Sequence, residues 1–263
     1  MLIKRVISAL VAVPLLLYFI YLGDLWYNVI VWLIALLGIR EFMGMMGLNG
    51  ATPLALGFAG VTALMGAVYF EELALILLVV TVIFLLTALS QVAGFHRFTL
   101  QESFGLFWGI MYIGGLMSYL VLIRNSFSFE YTMILFAAVW LNDTFAYFAG
   151  RKWGNRKLIP AVSPAKTVEG SLGGLLGPVV FMAITFLFMG WFHPLSLEWT
   201  LALTVLIIIP AQAGDLVESA LKRKLEVKDS GNLIPGHGGI LDRFDSMLLA
   251  APVAYYFLLL IGS

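Results

Sequence analysis

Long apolar runs recur along almost the whole chain, and they constrain its fold more than any other feature. Apolar residues make up 62% of the 263 positions and charged residues only 11%, whereas soluble domains average about 45–50% and about 25%. A membrane-spanning helix needs about 20 mostly apolar residues. Nine runs meet that requirement, at residues 5–22, 25–46, 53–70, 73–92, 104–123, 131–149, 171–192, 199–222 and 240–261. The sequence therefore predicts an all-α, polytopic integral membrane protein with about nine transmembrane helices.

The runs are read as helices because they lack the two-residue alternation of a membrane β-barrel. The loops between them are too short for a soluble domain. The first run follows Lys4 and Arg5 and continues to Leu22 without a small-residue cleavage site. It is therefore expected to be a retained span and not a signal peptide.

The basic residues predict how the helices are oriented. With nine spans, every lysine and arginine except Arg124 falls on one side. The positive-inside rule makes that side cytoplasmic, which places the N-terminus in the cytoplasm and the C-terminus outside. The formal net charge is zero, and this argues against nucleic-acid binding, which normally uses a basic surface. The absence of cysteine excludes disulfides and thiolate metal ligands.

Carboxylates inside the last apolar runs indicate a functional site. Asp215 and Glu218 precede a polar loop, and Asp242 and Asp245 follow it. A charged side chain at mid-helix costs about 2.5–3.5 kcal/mol on insertion scales, so such residues are usually functional. Each pair is spaced by three residues and therefore shares one helix face. Asp143, in the sixth run, enters from the same side.

Converging carboxylates repel one another unless a cation compensates their charge. Oxygen ligands without cysteine favour Mg²⁺, which commonly binds one or two carboxylates together with water and substrate phosphate. We expect Asp215 and Asp242 to be the metal ligands, with Asp143 and Asp245 supporting them. A second cation is compatible with this number of acids. Lys222 and Arg243 are alternative partners for some of them.

A second polar stretch lies between the sixth and seventh runs. Ser163 and Pro164 have the pattern of a helix N-cap followed by proline at the first helical position. Lys166 would then lie in the first turn, where free N–H groups and the helix dipole favour an anion. A lysine opposes the dipole at that end, so its position favours a bound phosphate.

Both stretches also resemble a known family, the phosphatidate cytidylyltransferases (CDP-diacylglycerol synthases) of bacterial type. The matching positions of the downstream motif are Ser219, Leu221, Lys222, Arg223, Lys228, Asp229, Gly231, Pro235, His237, Gly238, Gly239, Asp242, Arg243 and Asp245. The upstream motif is matched by Asn142, Asp143, Gly150, Arg151, Ser163, Pro164, Lys166, Thr167, Glu169 and Gly170. Phe145 and Val168 depart from it, since the family often has a small residue and a tryptophan there.

The resemblance implies transfer of CMP from CTP to phosphatidic acid, with a divalent metal, yielding CDP-diacylglycerol and pyrophosphate. The candidate catalytic residues are Asp143, Lys166, Asp215, His237, Asp242, Arg243 and Asp245. The candidate substrate-binding residues are Asn142, Ser163, Lys166, Lys222, Arg223, Lys228, Gly238 and Gly239. Basic side chains suit the triphosphate, and backbone N–H groups of the glycine loop could form a phosphate nest. His237 is a candidate phosphate ligand or general acid.

Two other functions fit parts of the pattern. A CTP-dependent lipid kinase would use the same nucleotide but transfer the γ-phosphate, and an ion- or proton-coupled transporter would also carry intramembrane acids. The sequence predicts a scaffold in residues 1–130 and a catalytic part in residues 131–263. The expected partners are CTP, phosphatidic acid, membrane lipids and a second copy of the chain. The expected location is the bacterial inner (cytoplasmic) membrane, with the active site on the cytoplasmic side.

Overall fold

Helices form almost all of the computed structural model, which describes residues 2–93, 99–190, 194–233 and 238–262. In chain order they are α1 (Leu2–Leu22), α2 (Asp24–Met45), α3 (Ala51–Tyr69), α4 (Leu73–Ala93), α5 (Leu100–Gly109), α6 (Leu116–Ser126), α7 (Phe129–Trp153), α8 (Val168–Met189), α9 (Leu197–Lys224) and α10 (Leu241–Ile261). A π-helical segment, Ile110–Gly115, joins α5 to α6. Leu100–Ser126 is therefore one continuous helical stretch.

The predicted spans agree with these helices. Among the described residues, eight helical stretches are long and apolar enough to cross a membrane, and they match the second to ninth predicted spans. The first span corresponds to α1, whose described apolar part is Leu10–Leu22. The predicted all-α membrane fold is thus confirmed, while the orientation of the termini stays a prediction.

Two helices present apolar side chains outward along most of their length. Leu77, Phe84 and Leu85 on α4 are more than half exposed, as are Leu187 and Phe188 on α8. A soluble monomer rarely exposes a continuous apolar surface of this extent. Such surfaces are stable when lipid hydrocarbon covers them, as expected for membrane helices.

The chain divides into two compact units. The first contains residues 1–122 and 225–243, and the second contains residues 123–224 and 244–263. In the first unit, α3 packs against α2, α4 and the π-helical segment; in the second, α8 packs against α7 and α9. The predicted boundary at residue 130 lies close to the first division. The segment 225–243, which the prediction places in the catalytic part, packs with the N-terminal helices.

A short β-hairpin precedes α8 and corrects one prediction. Strand β1 (Lys157–Ile159) pairs antiparallel with β2 (Ser163–Thr167). The prediction that Ser163 caps a helix was wrong, because Thr167 is the N-cap and accepts the Gly170 N–H at 3.1 Å. Pro164 lacks an N–H, which a two-stranded hairpin tolerates as readily as a first helical turn does. Lys166 therefore lies on a strand and not in the first turn of α8.

Small residues allow α7 and α8 to approach closely in the second unit. A Cβ added at Gly170 would lie 3.0 Å from the carbonyl oxygen of Ala146, and one at Gly174 would lie 2.6 Å from Oδ1 of Asn142. Close backbone approach through small residues is the common mode of helix packing in membranes. It brings the polar side chain of Asn142 against α8.

The contact between α9 and α10 is equally tight at Gly214. A Cβ there would lie 2.5 Å from the carbonyl oxygen of Asp245 and 3.2 Å from Cα of Ser246. Since both atoms belong to backbone, Gly214→Ala should destabilise the protein by about 1–3 kcal/mol. Thermal unfolding in detergent measures this. Gly66→Ala is the matched control, because no atom lies within 4 Å of its added Cβ; it should be neutral or stabilising. Equal midpoints for the two variants would contradict the packing described.

Candidate active site

A cavity of about 440 Å³ opens in the second unit among α7, α8, α9 and the hairpin. This volume lies within the range of small-molecule sites, about 300–1,000 Å³. Its charged and amide-bearing lining residues are Asn142, Asp143, Arg151, Lys166, Gln212 and Asp215. Four of the six were predicted as site residues, and Arg151 belongs to the upstream motif. Gln212 was missed.

An ion pair between Lys166 and Asp215 lies at the cavity wall. The Nζ atom of Lys166 is 2.6 Å from Oδ2 of Asp215, and the two side chains are 27% and 33% exposed. Strand β2 supplies the lysine and α9 the carboxylate. Both predicted site residues are thus brought together, with the cation facing the same space as Arg151. The arrangement gives an anionic ligand a fixed positive group.

The carboxylate of Glu169 anchors the hairpin to α8. It accepts the backbone N–H of Asn155 at 3.1 Å and that of Arg156 at 3.2 Å. Asn155 and Arg156 lie between the C-cap of α7 and the start of β1. Glu169 therefore fixes the base of the hairpin that carries Lys166.

A polar network joins three helices at the cavity. Gln212 on α9 donates its side-chain N–H to Oδ1 of Asn142 at 2.8 Å and to the carbonyl of Ser171 at 3.0 Å, and its Oε1 accepts the Ser171 hydroxyl. Asn142 in turn donates to Oδ1 of Asp143 at 3.0 Å. Gln212 and Ser171 thus hold Asn142, and Asn142 in turn orients the carboxylate of Asp143. The only signal for Gln212 in the sequence is an amide within the apolar run 199–222.

Four predicted acids approach one another in the second unit. Asp245 is 9% exposed and interacts electrostatically with Asp215, Glu218 and Asp143. Glu218 is fully buried, and its Oε2 lies 2.6 Å from Nζ of Lys222. Helices α7, α9 and α10 thus each contribute at least one carboxylate. Lys222 serves as a partner of Glu218, one of the alternatives left open by the sequence.

Carboxylate oxygens are suitable ligands for Mg²⁺, but the described side chains do not form a complete set of ligands by themselves. Within residues 2–93, 99–190, 194–233 and 238–262, no group of three or more acidic or histidine side chains is close enough to hold a metal ion. Mg²⁺ usually binds only one or two carboxylates and completes its shell with water and substrate phosphate. The carboxylate of Asp215, which lines the cavity, suits that mode. The ligand assignments stay predictions.

Asp242 occupies a different setting, in the first unit. Its Oδ2 accepts the N–H of Gly239 at 2.8 Å, the N–H of Ser230 at 3.1 Å and the Ser230 hydroxyl at 2.9 Å. Gly238 has φ of +82°, and an added Cβ would lie 2.6 Å from the same Oδ2, so glycine is required there. The Gly239 N–H therefore points at Asp242, whereas residues 235–237 of the predicted phosphate nest lie outside the described residues.

The remaining predicted residues are less enclosed. Lys228 and Arg243 are exposed, and Nε of Arg223 lies 3.5 Å from the carbonyl oxygen of Val162. Ser163 pairs with Ile159 at the end of the hairpin, away from the cavity lining. His237 lies outside the described residues.

The two departures from the family motif are accommodated locally. The ring of Phe145 lies over Gly177, where an added Cβ would come within 2.6 Å of it, and Phe145 does not line the cavity. Val168 is the first residue of α8. Neither residue is among those that line the cavity.

Comparison with known proteins identifies the family. The model of the cytidylyltransferase family matches residues 3–261. The chain belongs to the cytidylyltransferase family. The predicted resemblance is thereby confirmed.

Curated members of this family are similar along different lengths of the chain. A phosphatidate cytidylyltransferase of Staphylococcus saprophyticus is 33% identical over 95% of this chain and 96% of that protein. One of Bacillus subtilis is 44% identical over 63% of this chain and 61% of its own length. One of Staphylococcus haemolyticus is 41% identical over 60% of each chain. The similarity is thus both full-length and stronger over part of the chain.

The network around Gln212 should stabilise the family fold measurably. Gln212→Leu removes the bonds to Asn142 and Ser171, and interhelical hydrogen bonds in membranes contribute about 0.6 kcal/mol on average and up to about 1.7 kcal/mol. Thermal unfolding in detergent should show a loss of that size. The double variant with Asn142→Ala should lose less than the sum of the two single losses. Thr144→Val is the control, because the described hydrogen bond of the Thr144 hydroxyl, to the carbonyl of Trp140, stays within α7. Strict additivity would argue against the network.

Proposed function

We propose that this chain transfers CMP from CTP to phosphatidic acid and releases pyrophosphate. The protein is then a membrane nucleotidyltransferase of phospholipid synthesis. The observation that carries the proposal is the cavity in which Lys166, Arg151, Asp143 and Asp215 meet, in a chain that matches its family over residues 3–261. The similar Staphylococcus and Bacillus proteins are both named phosphatidate cytidylyltransferase, which agrees with the proposal.

The reaction needs two anionic reactants held in line. A phosphate oxygen of phosphatidic acid attacks the α-phosphorus of CTP, a new P–O bond forms, and the bond from the α-phosphorus to the bridging oxygen breaks. Pyrophosphate leaves with that oxygen. The lipid phosphate is itself the nucleophile, so no serine or cysteine nucleophile is required. Protein groups have to position the reactants and neutralise charge.

The described residues are suited to both tasks. Lys166 is held by Asp215 at 2.6 Å, and Arg151 donates to the hydroxyl of Tyr147 at 3.1 Å. Two cationic side chains with fixed partners can bind phosphate oxygens without first being ordered, which lowers the entropic cost of binding. Asn142 and Gln212 add amide groups to the same wall. We assign the triphosphate to this cavity.

We further propose that Asp215 and Asp242 are ligands of Mg²⁺, with Asp143 and Asp245 in support. When bound, Mg²⁺ supplies charge neutralisation to the phosphates. Asp215 also orients Lys166, because its Oδ2 lies 2.6 Å from Nζ of the lysine.

The location and partners follow from the same proposal. The chain is a membrane protein; we assign it to the bacterial inner membrane, with the active site and N-terminus on the cytoplasmic side, where CTP is made. Phosphatidic acid would reach the site from the bilayer. Exposed basic residues such as Lys228 would contact anionic lipid head groups. We also propose that two copies of the chain form a homodimer.

The acids can be tested by neutral substitutions. Asp215→Asn and Asp242→Asn should each lower turnover about 100-fold or more, because an amide is a poorer Mg²⁺ ligand and supplies no charge. Insertion and folding should be retained, since amides cost less to bury. Turnover of the purified protein measures the first effect. Its elution profile in size-exclusion chromatography measures the second. Glu198→Gln, an exposed acid at the other end of α9, is the control. Near-normal turnover of either aspartate variant would remove that residue from the metal site.

The position of a label in CTP distinguishes nucleotidyl transfer from the alternatives. With CTP labelled at the α-phosphate and phosphatidic acid as acceptor, label should enter the lipid. With label at the γ-phosphate, it should remain in water as pyrophosphate. Transfer of the γ-label to lipid would make the protein a lipid kinase. Transfer of neither label, with solute flux in vesicles, would make it a transporter.

A further inference from the structure

A buried carboxylate in the N-terminal helices takes no part in the site described above. Glu41 lies on α2, and only 6% of it is exposed. The sequence predicts a scaffold role for residues 1–130. A buried acid is costly unless hydrogen bonds compensate it, so its partners indicate what it does.

All the described donors to this carboxylate come from the polar stretch near the end of the chain. Oε1 of Glu41 accepts the Ile240 N–H at 3.0 Å, and Oε2 accepts the Leu241 N–H at 2.9 Å and the Ser230 hydroxyl at 3.2 Å. Leu241 is the first residue of α10. The N–H groups in the first turn of a helix have no partner within that helix, and the helix dipole favours negative charge at this end. Glu41 therefore caps α10 from another helix.

Two glycines give the carboxylate the space that it occupies. A Cβ at Gly231 would lie 2.5 Å from Oε1 of Glu41, and one at Gly239 would overlap Oε2 of Glu41 and the hydroxyl of Ser230. Any larger residue would have to displace the carboxylate or the backbone. The absence of a side chain at Gly231 and Gly239 thus leaves room for the Glu41 carboxylate.

Ser230 connects the carboxylate of Glu41 to that of Asp242. Its Oγ lies 3.2 Å from Oε2 of Glu41 and 2.9 Å from Oδ2 of Asp242, and it accepts the Asp242 N–H at 3.3 Å. The hydroxyl has one proton, so it donates to one carboxylate at a time. A change at Glu41 therefore reaches Asp242 through one intervening side chain.

We propose that Glu41 is a positioning residue, which holds the first turn of α10 and the side chain of Asp242 in place from α2. The inference rests on the proposed function, in which Asp242 is a metal ligand. It also assigns the N-terminal helices a part in catalysis beyond that of a scaffold.

Amide hydrogen exchange tests the contact without reference to activity. Glu41→Gln keeps the length of the side chain but loses the charge and one acceptor oxygen. Exchange of the Ile240 and Leu241 amides in the full-length, detergent-solubilised protein should become about tenfold faster or more. Glu72→Gln, an exposed acid in the same unit, should exchange like the wild type. Unchanged exchange in Glu41→Gln would overturn the inference, even if the wild type had no cytidylyltransferase activity.

Kinetics separate positioning from a merely structural contact. Glu41→Gln should lower kcat about 10- to 100-fold and leave KM for CTP within about twofold, because the nucleotide cavity lies elsewhere in the chain. Faster exchange with normal kcat would overturn the positioning role. Ser230→Ala, which removes only the bridging hydroxyl, covers the case in which Glu41→Gln does not fold. It should also lower kcat at unchanged KM for CTP, and wild-type kinetics would count against the inference.

Discussion

The cost of keeping carboxylates away from water governs the polar part of this structure. Three acids that are buried or half-buried each have a basic side chain or backbone N–H groups as partner. Asp215 is paired with Lys166, Glu218 with Lys222, and Glu41 with N–H groups at the start of α10. Uncompensated, such groups would be excluded from apolar helices. Lys166 on the hairpin, the Ser230 hydroxyl and the N–H groups at the start of α10 each place a donor beside an acid.

The polar stretch after α9 draws its contacts from distant parts of the sequence. Residues 225–243 pack with the N-terminal helices, whereas the cavity is built from α7, α8, α9 and the hairpin. The family match spans residues 3–261 and so includes helices of both units. The polar stretch that follows α9 is therefore bound in part by a side chain from the first half of the chain.

Hydropathy predicts the spans well, because a spanning helix requires a fixed length of apolar sequence whatever its neighbours are. The acidic positions were also predictable, since a charge inside such a run is conspicuous. The helix start at Ser163 was mispredicted because serine and proline suit an N-cap and a hairpin equally. Contacts between Glu41 and residues 189 to 200 positions away leave no local pattern. The sequence shows Gln212 only as an amide within an apolar run. Such amides commonly form hydrogen bonds between membrane helices, so this position did not indicate a site residue.

The π-helical segment Ile110–Gly115 changes how the span Leu100–Ser126 should be mapped. Residues of a regular α-helix are about 100° apart around the axis, and a wider π turn breaks that count. Buried positions such as Leu106 in α5 and Met117 in α6 therefore belong to two separate angular registers. A single helical wheel drawn through the whole span would rotate everything after Gly115 onto the wrong side. Cross-linking or scanning positions in α6 have to be counted afresh from Leu116.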